Sequence, residues 1–206
     1  AQKLEKQRII ANELRTKFLG ARYADSRFDN FDTKTVTESV KRAYEICKSY
    51  AEQFTKDTIK GLYLFGKTGR GKTELSACIM NELLDKGFIV IYTNMINIKN
   101  EWQRYFGRET EYEKIKDAYK TCDLLILDDI GTELVAADKN SKAQEIAYEF
   151  INARYNNNKP TILSSNNSLS ELVTKCHYDE KIASRISEMT AVVEMVGNDY
   201  RLKNKI

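Results

Sequence analysis

Gly66-Lys67-Thr68-Gly69-Arg70-Gly71-Lys72-Thr73 fits the phosphate-binding spacing G-x-x-x-x-G-K-[ST]. Gly66, Gly69 and Gly71 let consecutive backbone N–H groups, those of Thr68 and Arg70 among them, turn inward around a phosphate. A following helix N-terminus would add its positive dipole end, and Lys72 a point charge for the β- and γ-phosphates. Thr73 is placed to offer its hydroxyl to Mg²⁺. A second set of oxygens comes from Asp123-Leu124-Leu125-Ile126-Leu127-Asp128-Asp129, an apolar run ending in two acids. Asp128 would hold Mg²⁺, directly or through water, and Asp129 would orient or deprotonate an attacking water. A glycine-rich turn and a buried strand ending in a polar turn are the plain alternatives. Together the two motifs point to binding of a nucleoside triphosphate with Mg²⁺.

The elements around these residues suit that chemistry. Leu62-Tyr63-Leu64-Phe65 precedes the glycine loop as a strand, and residues 74–85 follow it as a helix, which is the context the motif requires. Residues 88–92 read as a strand apolar throughout, buried on both faces of a parallel sheet. Residues 95–106 and 110–119 read as helices, residues 123–129 as the acid-ended strand and residues 140–155 as a helix. The chain's single proline, Pro160, opens a further strand over residues 160–166. Short helices over 169–173 and 180–188 and a last strand over 191–196 complete the pattern. Upstream, residues 37–54 form a helix behind an aromatic turn, Arg27-Phe28-Asp29-Asn30-Phe31. Such alternation predicts an α/β fold whose parallel sheet is covered by helices on both faces, with the ligand at the strands' carboxyl ends.

Residues 4–19 carry Leu4, Ile9, Ile10, Leu14, Phe18 and Leu19 among many charges and read as an amphipathic N-terminal helix. It divides the chain into a linker helix over 1–20 and one core domain over 21–206. A solvated linker and a helix docked in a partner's groove share this pattern.

With 206 residues, 42% hydrophobic, the chain can bury one sizeable core. Its 33 basic and 30 acidic residues leave a net charge of +3, too mild to indicate nucleic acid by itself. Cys47, Cys78, Cys122 and Cys176 are widely spaced, and the single histidine, His177, completes no familiar zinc arrangement, so isolated buried thiols are expected. No secretory signal, long apolar span or lipidation motif is present, which points to the reducing cytoplasm and to no membrane partner. The chain begins at Ala1 without Met, as a processed or trimmed chain would.

These residues resemble an AAA+ ATPase of the DnaC/DnaI/IstB group, the replicative-helicase loaders and their transposition-associated relatives. The resemblance runs over residues 22–203. It rests on Arg27-Phe28-Asp29-Asn30-Phe31, on Leu125-Ile126-Leu127-Asp128-Asp129-Ile130-Gly131-Thr132-Glu133, on the strand ending Ser164-Ser165-Asn166, on Lys181-Ile182-Ala183-Ser184-Arg185-Ile186 and on Asn198-Asp199-Tyr200-Arg201. It implies that Asn166 is the sensor-I polar residue, bridging attacking water and γ-phosphate. It implies that Arg185 is an arginine finger acting in trans on a neighbouring subunit, so that the active form is a self-assembled oligomer. It implies that Arg201 is sensor II, a second cation on the same nucleotide. Residues 95–106 fall where initiators and loaders carry an extra helix that can face DNA.

That helix offers Lys99, Trp102 and Arg104, cations for phosphates interleaved with an aromatic face for bases. Trp102, Tyr105 and Phe106 at helical spacing read equally well as core. Most AAA+ enzymes have Glu where this chain has Asp129, and the shorter side chain implies slow hydrolysis suited to switching. The module by which loaders of this group grip the helicase is expected to be lacking here or to have been lost before Ala1.

Four functions compete. The resemblance favours an ATP-dependent helicase loader that binds single-stranded DNA and a hexameric replicative helicase during replication initiation. An IstB-type transposition ATPase on duplex DNA shares the fold. A P-loop small-molecule kinase would need an acceptor pocket and lid arginines, and a non-catalytic ATP-sensing adaptor would not need Asp129.

Overall fold

The computed structural model describes residues 21–132 and 142–202, together with Glu5 and Ile9. The helix expected over residues 4–19 otherwise lies outside the described residues, as do Glu133 and Lys203.

In chain order the elements are α1 (Glu38–Gln53), β1 (Gly61–Phe65), α2 (Lys72–Asp85), β2 (Val90–Asn94), α3 (Met95–Arg104), α4 (Glu109–Thr121), β3 (Leu124–Ile130), α5 (Lys142–Asn156), β4 (Thr161–Ser165), α6 (Leu169–Thr174), α7 (Glu180–Met189) and β5 (Thr190–Glu194). The strands form one parallel sheet in the order β2-β3-β4-β1-β5. Successive side chains of a strand point to opposite faces, so each central strand feeds two cores.

One face buries Leu62, Leu64, Val90, Tyr92, Leu124, Ile126 and Ile162 under α1 and α2. The other buries Tyr63, Ile91, Leu125, Leu127 and Leu163 under α3, α4, α5 and α7. Helices on both faces explain why β1 to β4 are buried along nearly their whole length. On the edge strand β5, Ala191 and Val192 are exposed while Thr190 and Val193 are buried.

Local chemistry sets the helix ends. α1 presents Val40, Ala43, Tyr44, Cys47 and Ala51 as one buried stripe. Near its middle Tyr44 receives Phe28 edge-on and Phe31 stacked, with ring centroids 5.7 and 5.5 Å away. The aromatic turn is therefore the clasp of the core beneath α1. Ser168 and Glu171 form a reciprocal capping box on α6, and Asp179 caps α7.

The strand expected at 88–92 begins two residues later. Phe88 turns aside to meet Phe54 edge-on at 5.0 Å, and the Asp123 carboxylate takes the Ile89 N–H at 2.8 Å, so neighbouring side chains occupy the first two residues. All four cysteines are buried and unbridged.

Candidate nucleotide site

β1 runs straight into the glycine loop. Gly66 has φ 146°, and a Cβ there would lie 2.2 Å from the Met195 carbonyl oxygen, so only glycine lets the loop leave the sheet beside the chain following β5. Gly71 has φ 91° and turns the chain directly into α2, whose first residue is Lys72. The N-terminus of this 14-residue helix, with its unpaired N–H groups, thereby faces the loop.

Lys72 is 5% exposed. Its Nζ donates to the carbonyls of Gly66 at 2.6 Å and Lys67 at 3.2 Å, and to Asn166 Oδ1 at 2.9 Å. Burial lowers the pKa of this ammonium, and the charges of Asp129 and Asp128 act the other way. Thr68 Oγ1 lies 3.5 Å from the same Asn166 oxygen.

At the end of β3 the two acids diverge. Asp128 is 3% exposed and accepts from Thr73 Oγ1 at 3.0 Å. Asp129 occupies the left-handed region at φ 54°, a costly backbone for a residue with a Cβ. Its carboxyl is raised above the usual carboxylate range by burial and by Asp128, an effect that Lys72 and Arg201 oppose.

One cleft of about 950 Å³ gathers Thr68, Gly69, Arg70, Gly71, Lys72, Thr73, Asp128, Asp129, Asn166 and Arg201. It opens at the carboxyl ends of the strands, where a parallel α/β sheet binds its ligands. The cleft is large enough for a nucleoside triphosphate. A second, smaller depression of about 280 Å³, between residues 54–59 and 157–160, lies at the opposite ends of the strands and has no phosphate loop.

Arg201 reaches the cleft because the C-terminal turn folds back. The Tyr200 N–H donates to the Gly69 carbonyl at 3.0 Å, and the Tyr200 hydroxyl accepts the Thr37 N–H at 2.9 Å. Sequence reasoning overlooked this strap, and also Arg22, Tyr23, Phe31, Thr35 and Val36, which wall the same cleft. It overlooked Tyr92 and Ser164, whose hydroxyls both donate to Asp128. A faint signal existed: both are polar groups near the carboxyl ends of their strands.

Other residues singled out from sequence lie elsewhere. Arg185 on α7 is outside the cleft, half-buried, with its guanidinium 5.4 Å from the Tyr148 ring centroid and 5.8 Å from that of Tyr155. It donates to the Tyr148 hydroxyl at 2.9 Å. Lys99 and Arg104 are exposed on α3. Trp102 is half-buried against the core and meets Phe106 edge-on at 5.8 Å, while Phe106 itself is 77% exposed.

The model of the IstB-like ATP binding protein family matches residues 3–206. The chain belongs to that family. This IstB-like chain is thus an ATP-binding AAA+ ATPase. It is 30% identical over 190 residues to the phage-like element PBSX protein XkdC of Bacillus subtilis, covering 87% of this chain and 68% of XkdC. It is 32% identical over 141 residues to the chromosomal replication initiator protein DnaA of Campylobacter jejuni, but spans only 30% of that protein.

Among solved structures, the DnaC helicase loader superposes with a TM-score of 0.73 at 24% identity, over 86% of this chain and 100% of that one, a likeness of fold. A replication initiator DnaA bound to AMPPCP and single-stranded DNA superposes with a TM-score of 0.70 at 26% identity, over 90% of this chain and 54% of that one. Among the described residues no helix is long and apolar enough to cross a membrane.

Proposed function

We propose that this IstB-like ATPase is an ATP-controlled helicase loader. In its ATP state it binds single-stranded DNA and a hexameric replicative helicase, and hydrolysis releases them. The observation that carries the DNA half is the exposed surface of α3 and the turn after it, which presents Lys99, Arg104 and an uncovered Phe106, with Trp102 half-buried. Cations for phosphates beside aromatic faces for bases suit a single strand. The DnaA relative whose structure contains single-stranded DNA supports this reading, and the helicase half rests on the resemblance to the loader group.

In the cleft, the loop N–H groups and Lys72 bind the phosphates and Thr68 flanks them. Mg²⁺ fits the oxygen donors present, the Thr73 hydroxyl and the Asp128 carboxylate, because this ion takes one or two carboxylates and completes its shell with water and phosphate oxygens. When bound it would neutralise charge between the β- and γ-phosphates. Asp129 accepts a proton from, or orients, the attacking water, and Asn166 holds that water toward the phosphate. Arg201 adds a cation in the same cleft.

Arg185 completes a neighbour's site in an oligomer, since it stands apart from the cleft of its own chain. Arg185→Ala is expected to leave ATP affinity unchanged and to remove the assembly-stimulated part of the ATPase rate. Equal rates in mutant and wild-type assemblies would return Arg185 to its tyrosine packing alone. Slow turnover, a cytosolic setting and a role in replication initiation belong to the same proposal.

Fluorescence anisotropy of a labelled single-stranded oligonucleotide tests the function, with ATP analogue, ADP or no nucleotide and a duplex competitor. Binding confined to the analogue and resistant to duplex supports the loader. The IstB-like family match favours a second reading, transposition-associated action on duplex DNA, and duplex preference would select it. Lys99→Ala with Arg104→Ala is expected to weaken single-strand binding and to flatten its log–log salt slope by about 1.4, two phosphate contacts at about 0.7 each. An unchanged slope would remove α3 from the DNA interface.

A further inference from the structure

The carboxylate of Asp128 receives three hydroxyls from three different elements. Thr73 on α2 and Tyr92 on β2 both donate to Oδ2, and Ser164 on β4 donates to Oδ1. Ser164 makes a second bond: its Oγ accepts the backbone N–H of Asp129 at 3.0 Å. Tyr92 is 4% exposed and Ser164 0%, so water does not compete for these bonds.

The sheet register explains how two hydroxyls 72 positions apart in sequence numbering meet one carboxylate. β3 lies between β2 and β4. Tyr92 pairs with Ile126, which precedes Asp128 by two residues on the same face, so the long phenol reaches along that face to the acid. On the other flank Leu127 pairs with Leu163 and Ile130 with Ser165. Between those pairs Ser164 alone stands opposite both Asp128 and Asp129. This is a β-bulge, two residues facing one, and bulges serve to re-aim side chains beside active sites. Here the bulge buries the Asp128 carboxylate and puts Asp129 at φ 54°, less buried in the same cleft.

We propose that Ser164 and Tyr92 are positioning residues of the ATPase. Ser164 clamps the bulge and sets both acids as one unit, while Tyr92 fixes the Asp128 carboxylate beside Thr73, where the two residues would hold the cation that accompanies the phosphates. The proposal deepens the Mg²⁺ assignment made above and rests on it. Partners that orient metal ligands in this way are worth about 10–100-fold in metal affinity or activity.

The test measures the affinity of a fluorescent ADP with Mg²⁺ and again in EDTA, for the wild type, Tyr92→Phe and Ser164→Ala, with ATP turnover alongside. In the wild type Mg²⁺ is expected to tighten nucleotide binding. Tyr92→Phe, which removes one oxygen and keeps the ring, is expected to reduce that Mg²⁺-dependent gain by about tenfold while affinity in EDTA stays unchanged. Ser164→Ala is expected to reduce the gain likewise and also to lower kcat more than it raises KM, because Asp129 is released with Asp128.

A wild type with no Mg²⁺-dependent gain would overturn the metal assignment itself. A wild-type gain retained in full by Tyr92→Phe would overturn the positioning role while leaving the metal site standing. Affinity lost equally with Mg²⁺ and in EDTA would mark a merely structural role. Should Ser164→Ala fail to fold, the paired affinities of Tyr92→Phe decide the matter alone.

Discussion

Lys72→Ala is expected to weaken ATP binding by about 100-fold or more. Bonds to a charged group contribute roughly 1.5–3 kcal/mol each, and a 100-fold change corresponds to about 2.8 kcal/mol. The ammonium lies at the loop, bonded to the Gly66 and Lys67 carbonyls and to Asn166. Titration calorimetry with a slowly hydrolysed ATP analogue reads the loss, and an affinity within about threefold of the wild type would remove the lysine from the phosphate site.

The same substitution is not expected to lower stability much. Burial depresses the folded-state pKa of Lys72, so the folded protein carries its charged form at a cost. For a base depressed in this way the cost is full below the folded pKa. It disappears as pH rises from there to the unfolded value near 10.4. At neutral pH Lys72→Ala removes that cost together with three hydrogen bonds, and an unfolding midpoint close to that of the wild type is the expected control.

Arg154→Met is the opposite case, a large loss of stability away from the nucleotide. Arg154 on α5 is fully buried, and its guanidinium donates to the Pro160 carbonyl at 2.6 Å, the Tyr119 carbonyl at 2.9 Å, the Cys122 carbonyl at 3.2 Å and the Thr161 hydroxyl at 2.9 Å. It ties the end of α4, the start of β3 and the start of β4 to α5. Methionine fills much of the volume but leaves these acceptors without their donor inside the core, at roughly 1–3 kcal/mol for each one that stays unsatisfied. A loss of about 4 kcal/mol is expected, which for a chain of this size lowers the unfolding midpoint by about 8–16 °C. Thermal unfolding checks it, and a shift under about 3 °C would show that the carbonyls find other donors.

Arg154 also shows where sequence reading runs out. Its helix was legible from Ile146, Ala147, Phe150 and Ile151, which are indeed buried. An arginine in the next turn reads as solvated by every local rule, since arginine is seldom fully buried. Only the convergence of three chain segments supplies enough acceptors to bury it. The helix over residues 95–106 divides in a similar way. Trp102 packs on the core as spacing allowed, whereas Phe106, beyond the end of α3, stays in solvent although its sequence neighbours gave no hint of the difference.

By itself the sequence determined the phosphate loop, the acid-ended strand and the strand–helix alternation, because each is written in contacts within a few residues: a glycine's freedom at positive φ, a helix period, an apolar run. The late polar residues Asn166 and Arg201 were legible only through the family's ordered motifs. Tertiary structure decided which strands are neighbours. Placing β3 between β2 and β4 brings Tyr92 and Ser164 onto Asp128, and the fold-back of Tyr200 onto Gly69 delivers Arg201 to the cleft. Register between strands far apart in the chain is fixed by burying both sheet faces at once, a condition on the whole molecule that no local stretch of sequence can express.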